Sequence, residues 1–444
     1  MGGPAAAVGR LRGGWDVTVL ERARELGEVG AGWSFAPNAL RAADALGVGE
    51  QFRACSVPTE AGATMRLPDG AYLMRFQPEA DQVLLANHRA DLQRVLARHV
   101  PAEKIRTGCE VTGVRQDGAG VTVIRRDGGE MRADLLVGAD GIHSTVRRGV
   151  WPDAPEPVFQ RILCWRGVTA PGAVWPVRGF QTWSRGARFG AHPLVGERVF
   201  WFLTVRQEQP GLRFDDDLGE VAARTRGWHK PIPGLLAATP PEAVLRHDIH
   251  DLDPLPSYAK GRIALLGDAA HAMTPFLAQD ACQALEDAVV LAAEAVGADS
   301  VPQALDRYDK ARRPRSQQVQ RMARTDPRLS LSTSGATYRL MPAMTPPGLH
   351  RHGSPQERPP LGLGPPVHAP RPGAVMGYRV PMVERARRRP RAGRPHRRRA
   401  VPKRPGFTRH IGTVSGVSTN GITTSSTARH STPDEHGSRL RAAP

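Results

Sequence analysis

The chain has 444 residues, a formal net charge of +18 and 40% hydrophobic residues, which is length enough for two core-bearing domains. It contains no run of about 18 apolar residues, so no transmembrane helix is expected. The opening Met1-Gly2-Gly3-Pro4 lacks the basic, apolar and cleavage regions of an export signal, which predicts a cytoplasmic protein. Cys55, Cys109, Cys164 and Cys282 stand far apart without paired spacing, so neither a zinc site nor a disulfide framework is expected.

Gly2 and Gly3 precede an Ala-rich run that reads as a helix, and a β-branched strand over 17–20 then ends in Glu21 and Arg22. Gly3 to Glu21 spans 18 positions, the separation between the last glycine of a dinucleotide fingerprint and the acid that takes a ribose. Helices are predicted near 37–46 and over 89–99, where Leu92, Val95 and Leu96 fall at helical spacing. Short strands over 111–115, 121–126 and 131–136 are separated by Asp117-Gly118 and Asp127-Gly128-Gly129 turns. The apolar run 135–137 leads into Gly138-Ala139-Asp140-Gly141, with Ser144 and Arg147 beyond it.

From about 156 to 252 the character changes. Strands over 162–168, 179–183, 188–192 and 198–205 carry Trp165, Trp183, Phe189, Phe200, Trp201 and Phe202. Most of these six are expected to fill a core beneath a sheet. Some should line a pocket instead, because a small-molecule site is a concave, mainly apolar wall with a few polar groups. Trp183, Phe189 and His192 are the candidates for that wall; His192 is not assigned as a base, since a lone histidine in a strand is more often packed or exposed than catalytic.

The segment 261–275 carries the most information. Its strand 263–266 is an unbroken apolar run, as in a strand buried on both faces, and Gly267 lets the backbone pass close to a ligand. Asp268 stands at the strand's carboxyl end, where ligands bind in open parallel sheets. Read alone, Asp268 is a helix cap.

Residues 341–444 hold 19 Lys/Arg and 4 Asp/Glu, so nearly all of the net charge lies there. This stretch is rich in Pro and Gly and lacks periodicity, which predicts a disordered tail. It has no interleaved aromatics for base stacking, so no specific nucleic-acid partner is expected.

With the Gly3/Glu21, Asp140-Gly141 and Gly267-Asp268 segments in this order, the chain resembles the FAD-dependent aromatic hydroxylases over about residues 1–340. These single-component flavoprotein monooxygenases include relatives of salicylate hydroxylase and zeaxanthin epoxidase. The resemblance implies an α/β protein with α+β elements: a Rossmann-like FAD-binding domain from 1–155 and 253–340, an inserted, mainly antiparallel β substrate domain over 156–252, and the tail. It implies FAD held by Gly2, Gly3, Glu21, Arg22, Arg89, Val111, Asp140, Gly141, Gly267, Asp268, Pro275 and Ala281, with no metal. Arg89 would lie along the flavin and Val111 would meet adenine through its backbone. NADH or NADPH would reduce FAD, and a C4a-hydroperoxyflavin formed with O₂ would hydroxylate or epoxidise an aromatic or unsaturated small molecule. A flavin-dependent reductase or halogenase on the same fold is the first alternative, since fold does not fix reaction. An inactive, truncated flavoprotein remnant with a basic interaction tail is the second.

Two departures from the family pattern bear on activity. Where relatives carry Pro-x-x-Gly-Gln-Gly-Ala, this chain reads Pro275-Phe-Leu-Ala-Gln-Asp-Ala281. A side chain at a position needing positive φ costs about 1 kcal/mol or more. Asp280 could cap the next helix with Gln283 completing a capping box, but at roughly 6 Å and an effective dielectric of about 20 its charge would oppose an anionic flavin by about 3 kcal/mol. The second departure is at the start, where the usual first strand is not found, so the parallel sheet is expected to lack a central member.

Overall fold

The computed structural model describes residues 1–26, 31–75, 83–172, 177–295, 298–335 and 410–415. Its central element is a six-stranded sheet in the spatial order Ala259–Lys260, Ile263–Leu265, Leu135–Ala139, His410–Ser415, Asp16–Glu21 and Ile105–Arg106. All neighbours run parallel except the first pair. Val17, Leu20, Leu136, Val137, Ala264 and Leu265 are fully buried, which is why these strands read as unbroken apolar runs rather than alternating ones.

The expected gap at the sheet's centre is filled. His410–Ser415 pairs with Asp16–Glu21 on one side and Leu135–Ala139 on the other. These six residues correct the reading of the whole tail as disordered; the rest of 341–444 lies outside the described residues.

Helix Gly2–Arg12 packs against helix Asp280–Glu294 on one face of this sheet. Ala5, Ala6 and Ala7 bring the two backbones close, and a Cβ on Gly9 would meet Ala292 Cβ at 3.1 Å. The predicted helices appear as Pro37–Ala45 and Arg89–Arg98. The predicted antiparallel strands appear as Val111–Gln116, Val121–Arg125 and Glu130–Ala133. Their first turn forms because Asp117 Oδ1 accepts from the N–H groups of Ala119 and Gly120 at 2.8 and 2.9 Å, the local bonding that makes Asp a turn residue.

A second sheet has seven strands in the order Leu245–Asp251, Val158–Val168, Arg198–Arg206, Ala187–Leu194, Phe180–Ser184, Thr64–Arg66 and Tyr72–Arg75. Two of these strands come from well before residue 156, so the substrate sheet is not built from one continuous segment. Its side chains alternate between two environments, as the period of a strand requires. One face carries Leu163, Trp165, Phe189, Trp201 and Leu203 into a core closed by Val221, Ile232 and Leu235 of two short helices. The indole N–H groups of Trp165 and Trp201 donate to Asp217 (2.7 Å) and Thr239 (2.8 Å), satisfying the polar ends of the two largest buried rings. The other face, with Ile162, Cys164, Ile249 and Phe202, meets Phe276 and Leu331 of the cofactor half.

The 30-residue helix Val301–Ser330 ties the halves together. Arg312, Ser316 and Gln320, spaced by four, are all buried. Gln320 Nε2 donates to the carbonyls of Leu252 (2.6 Å) and Ala272 (3.0 Å).

Candidate functional site

A cleft opens at the carboxyl ends of the central strands, lined by Gly3, Val19, Glu21, Arg89, Ile105 and Ala139. It lies where an open parallel sheet binds ligands. Glu21 is 3% exposed and its Oε1 accepts from the Ala23 N–H at 2.9 Å. Its carbonyl accepts from Cys109 N–H (2.9 Å), and Ala23 O accepts from Gly108 N–H (2.8 Å), so the segment leading to Val111 is fastened beside the acid. Gly2 lies tight against the sheet, since a Cβ there would sit 2.3 Å from Leu266 Cδ1 and the leucine would have to shift. Arg22, by contrast, is exposed.

Asp140 does not leave its carboxylate free. Oδ1 accepts from Ser144 Oγ at 2.5 Å and Oδ2 from Val146 N–H at 3.1 Å, which fixes the start of helix Thr145–Val150. Burial raises its pKa above the usual carboxylate range. Gly141 has φ +81°, a conformation glycine adopts without a steric penalty.

Gly267 turns the chain with φ 58° and ψ −141°. Its N–H donates to Asp287 Oδ2 at 3.0 Å. The same carboxylate takes His271 Nε2 at 2.6 Å and Arg312 Nε at 2.7 Å. Burial opposes this ionised group, but the charges of His271 and Arg312 win and hold it well below the ordinary range. Arg312 also donates to Glu286 (2.6 Å) and to Gln283 Oε1 (2.8 Å). Arg147, fully buried, donates to Ala269 O (3.0 Å) and Ile142 O (2.5 Å), and so clamps the Asp140-Gly141 loop to the Gly267-Asp268 loop. His271, Asp287 and Arg312 are not among the residues expected from sequence, and Arg147 stands there only as a neighbour of the Asp140-Gly141 turn, without a role.

The Pro275–Ala281 loop begins with the turn Pro275–Leu277. Ala278 follows at φ 52° and ψ 37°, the left-handed conformation that the glycine-to-alanine departure made costly. Helix Asp280–Glu294 starts as expected, but its cap is Gln279, not Asp280. Asp280 accepts from the Ala281 N–H, while Gln283 Nε2 turns back to Gln279 Oε1 at 3.0 Å. The capping box therefore does not form. Asp280 is pushed up to about 6, first by burial and then by the charge of Asp268. Both carboxylates in turn act on Arg89, whose pKa burial lowers.

These residues fit FAD. Arg89 lines the cleft, and its buried Nε has no hydrogen-bond partner; an anionic group bound beside it would satisfy such a donor. The amino ends of helices Gly2–Arg12 and Asp280–Glu294 add unpaired N–H groups that favour negative charge. FAD bound here would be held by Gly2, Gly3, Glu21, Arg89 and the two glycine loops.

Facing the cofactor half, His192 is buried with Nδ1 at 3.0 Å from Ser34 Oγ and 3.4 Å from Thr59 Oγ1. Its ring stacks on Phe200 and Phe202, at centroid distances of 5.7 and 6.1 Å. Burial, reinforced by Arg188, pulls its pKa down to about 3, so it is a neutral imidazole at pH 7. Trp183 lies on the same side: Arg188 sits over its ring at 5.4 Å and over Phe276 at 5.2 Å, and pairs with Asp326 at 3.0 Å. Phe189 does not join them. It points to the opposite face, stacked on Trp201 at 5.8 Å in the sheet's core, because strand alternation separates it from His192 by an odd step. In its place the structure brings His247, 2% exposed with Nδ1 unpartnered. Its pKa falls to about 3 through burial and then the charges of Arg166 and Arg89. Among the described residues no cluster of His, Cys, Asp and Glu could hold a metal, and no helix is long and apolar enough to cross a membrane.

The family model described as "FAD binding domain" matches residues 3–323. The chain is 37% identical over 318 residues to an aurachin C monooxygenase/isomerase of Stigmatella aurantiaca, spanning 70% of this chain and 82% of that protein. It is 35% identical over 326 residues to a 3-amino-4-hydroxybenzoate 2-monooxygenase of Streptomyces cremeus, spanning 70% and 80%. Among solved structures, Klebsiella pneumoniae HpxO complexed with FAD and uric acid superposes with a TM-score of 0.71 at 28% identity, over 78% of this chain and 91% of that one. A salicylate hydroxylase substrate complex gives 0.65 at 26% identity, over 77% and 90%. The cleft at the carboxyl ends of the parallel strands and these likenesses agree: the chain belongs to the FAD-dependent aromatic hydroxylases, a family of flavoprotein monooxygenases.

Proposed function

We propose that the protein uses NADH or NADPH and O₂ to insert one oxygen atom into an aromatic or unsaturated small molecule, by the oxygen-activating route that the family resemblance implies. The observation that carries this reading is the junction at Arg89. This one cation lines the cleft and feels Asp268 and Asp280 on the cofactor side and Arg166 of the seven-stranded sheet, which supports a substrate bound next to the cofactor. When bound, FAD supplies the hydride acceptance and oxygen activation.

The chain's own residues then have three tasks. Phe200 and Phe202 exclude water and offer flat apolar surface to a planar ring. His192, held neutral and oriented by Ser34 and Thr59, hydrogen-bonds a ring substituent and fixes which carbon faces the flavin. The positive field of Arg89 and Arg166, which already depresses His247, favours a substrate oxygen carrying negative charge. Relatives named for urate and for an aminohydroxybenzoate support a substrate of this kind, an electron-rich ring bearing an ionisable oxygen. The test is NAD(P)H oxidation and O₂ uptake by the purified yellow protein against a panel of hydroxylated aromatics and N-heterocycles. Stimulation by one class with product oxygen derived from ¹⁸O₂ is expected; turnover that needs halide, or that proceeds without O₂, would sink the proposal.

A further inference from the structure

The two long strands flanking the sheet's centre rely on one segment for most of their pairing. Asp16–Glu21 meets Ile105–Arg106 at only two positions, and Leu135–Ala139 meets Ile263–Leu265 at three. His410–Ser415 pairs along the whole of both. Its register is flush at the functional end, with Ser415 opposite Glu21 on one side and Ala139 on the other. The segment therefore ends on the rim of the cofactor cleft, between the acid expected to take the ribose and the Asp140-Gly141 loop. Thr413, level with Val19 and Val137, is wholly buried, and its Oγ1 has no hydrogen-bond partner.

We propose that the space between Asp16–Glu21 and Leu135–Ala139 is a strand-acceptor slot, that its occupant is His410–Ser415 of the same chain, and that FAD retention depends on its being filled. Neighbouring strands lie about 4.8 Å apart, so two strands that flank a missing one cannot pair directly. An empty slot would leave two facing rows of backbone N–H and C=O groups without partners inside the protein, a state native structures avoid. Parallel strands also cannot be joined by a tight hairpin, so the occupant reaches either neighbour through a crossover connection rather than a turn. The sequence around it suits that role. Residues 406–432 contain neither Pro nor acid within a Pro-rich tail, and Ile411, Thr413 and Val414 are β-branched, as strands favour. The segment 410–415 thus completes the sheet on which the cofactor cleft stands, with Ser415 at the same level as Glu21 and Ala139.

The test uses the full chain. Amide exchange at 411–414 is expected to be as slow as at 17–20 and 135–137. Thr413→Val deletes an unpartnered hydroxyl with little change of shape and is expected to retain FAD at least as tightly as the parent. Thr413→Asp puts a carboxylate into the buried slot; it is expected to weaken FAD binding by about tenfold or more and to speed exchange at 17–20 and 135–137. Exchange at 411–414 at the rate of an unstructured peptide in the parent protein would overturn the proposal, even if the Asp variant failed to fold. So would a Thr413→Asp protein with unchanged flavin content and protection. Slow exchange seen only in a dimer and lost on dilution would give the strand to a second copy and overturn the same-chain assignment.

Discussion

Ala278 holds a left-handed backbone conformation at φ 52°, which carries a steric penalty for any residue with a Cβ. Ala278→Gly is expected to raise stability by about 1 kcal/mol in chemical denaturation; a neutral or destabilising result would mean that the loop relaxes elsewhere. Asp280 poses an electrostatic problem instead. Because burial and Asp268 lift its pKa to about 6, it is mostly ionised at pH 7, and its charge opposes the gain of negative charge by FAD on reduction. Lowering the pH through about 6 neutralises it, so stopped-flow flavin reduction should accelerate in that direction. Asp280→Asn should be faster at pH 7 and lose this pH dependence, and Asp280→Gly should also be faster. A parallel pH profile for the parent and Asp280→Asn would refute the electrostatic account. His247 works in the opposite sense for stability. Its folded pKa of about 3 lies below the unfolded value of 6.5, so stability is full above pH 6.5 and is lost as pH falls toward 3, by up to about 1.4 kcal/mol per pH unit. His247→Asn should flatten that acid slope in denaturation measured from pH 7 to 4.

At the level of elements, the glycine loops are positioned less by their own turns than by what lies beneath them. Asp287, one buried carboxylate on helix Asp280–Glu294, binds the Gly267 N–H, His271 and Arg312 at once, so the loop, its following turn and the long helix Val301–Ser330 share one anchor. Removing this carboxylate takes the partner from the Gly267 N–H and from His271 Nε2 and leaves the buried Arg312 with Glu286 as its carboxylate partner, and breaking a buried pair typically costs about 3–5 kcal/mol. Asp287→Ala should therefore lower stability by about that amount, read by denaturant midpoint, whereas a change under about 1 kcal/mol would show that water enters and rescues the cluster. Arg147 joins the two loops to each other in the same way. Pattern reading located about half of the helices and strands, those whose period follows local burial. It placed Asp280 at the helix start yet gave it the cap, which belongs to Gln279; the path of the preceding loop decides that, and the loop is shaped by the Ala278 conformation.

For the molecule as a whole, the cofactor and substrate halves meet across one face of the seven-stranded sheet. His192, Trp183, Phe202 and His247 come from four different strands, and what they share is a side of the sheet. Of the three wall residues expected from sequence, His192 and Trp183 lie on that side and Phe189 does not. Arg166 and His247 gave no signal in sequence, since a charged residue in a strand says nothing about which cavity its neighbours enclose. His192→Leu keeps an apolar side chain between Phe200 and Phe202 but removes the hydrogen bond to a ring substituent. It should raise KM and uncouple NAD(P)H oxidation from hydroxylation by at least about tenfold, measured as hydrogen peroxide released per NAD(P)H; unchanged coupling would remove His192 from the substrate wall.

The sequence by itself determined the local chemistry: which runs become strands, that Gly267 and Gly141 turn the chain, and that Glu21 stands at a strand end a fixed distance from Gly3. These follow from nearest-neighbour sterics and side-chain period, which act over a few residues. Only the tertiary structure decided that Asp287 holds the Gly267 loop, that Phe189 faces away from the cofactor, and that residues 410–415 occupy the centre of the sheet. The Asp287 anchor and the placing of 410–415 depend on groups remote in sequence meeting one another, and alternation separates Phe189 from His192 without saying which side the cofactor half covers; neither is marked in local spacing.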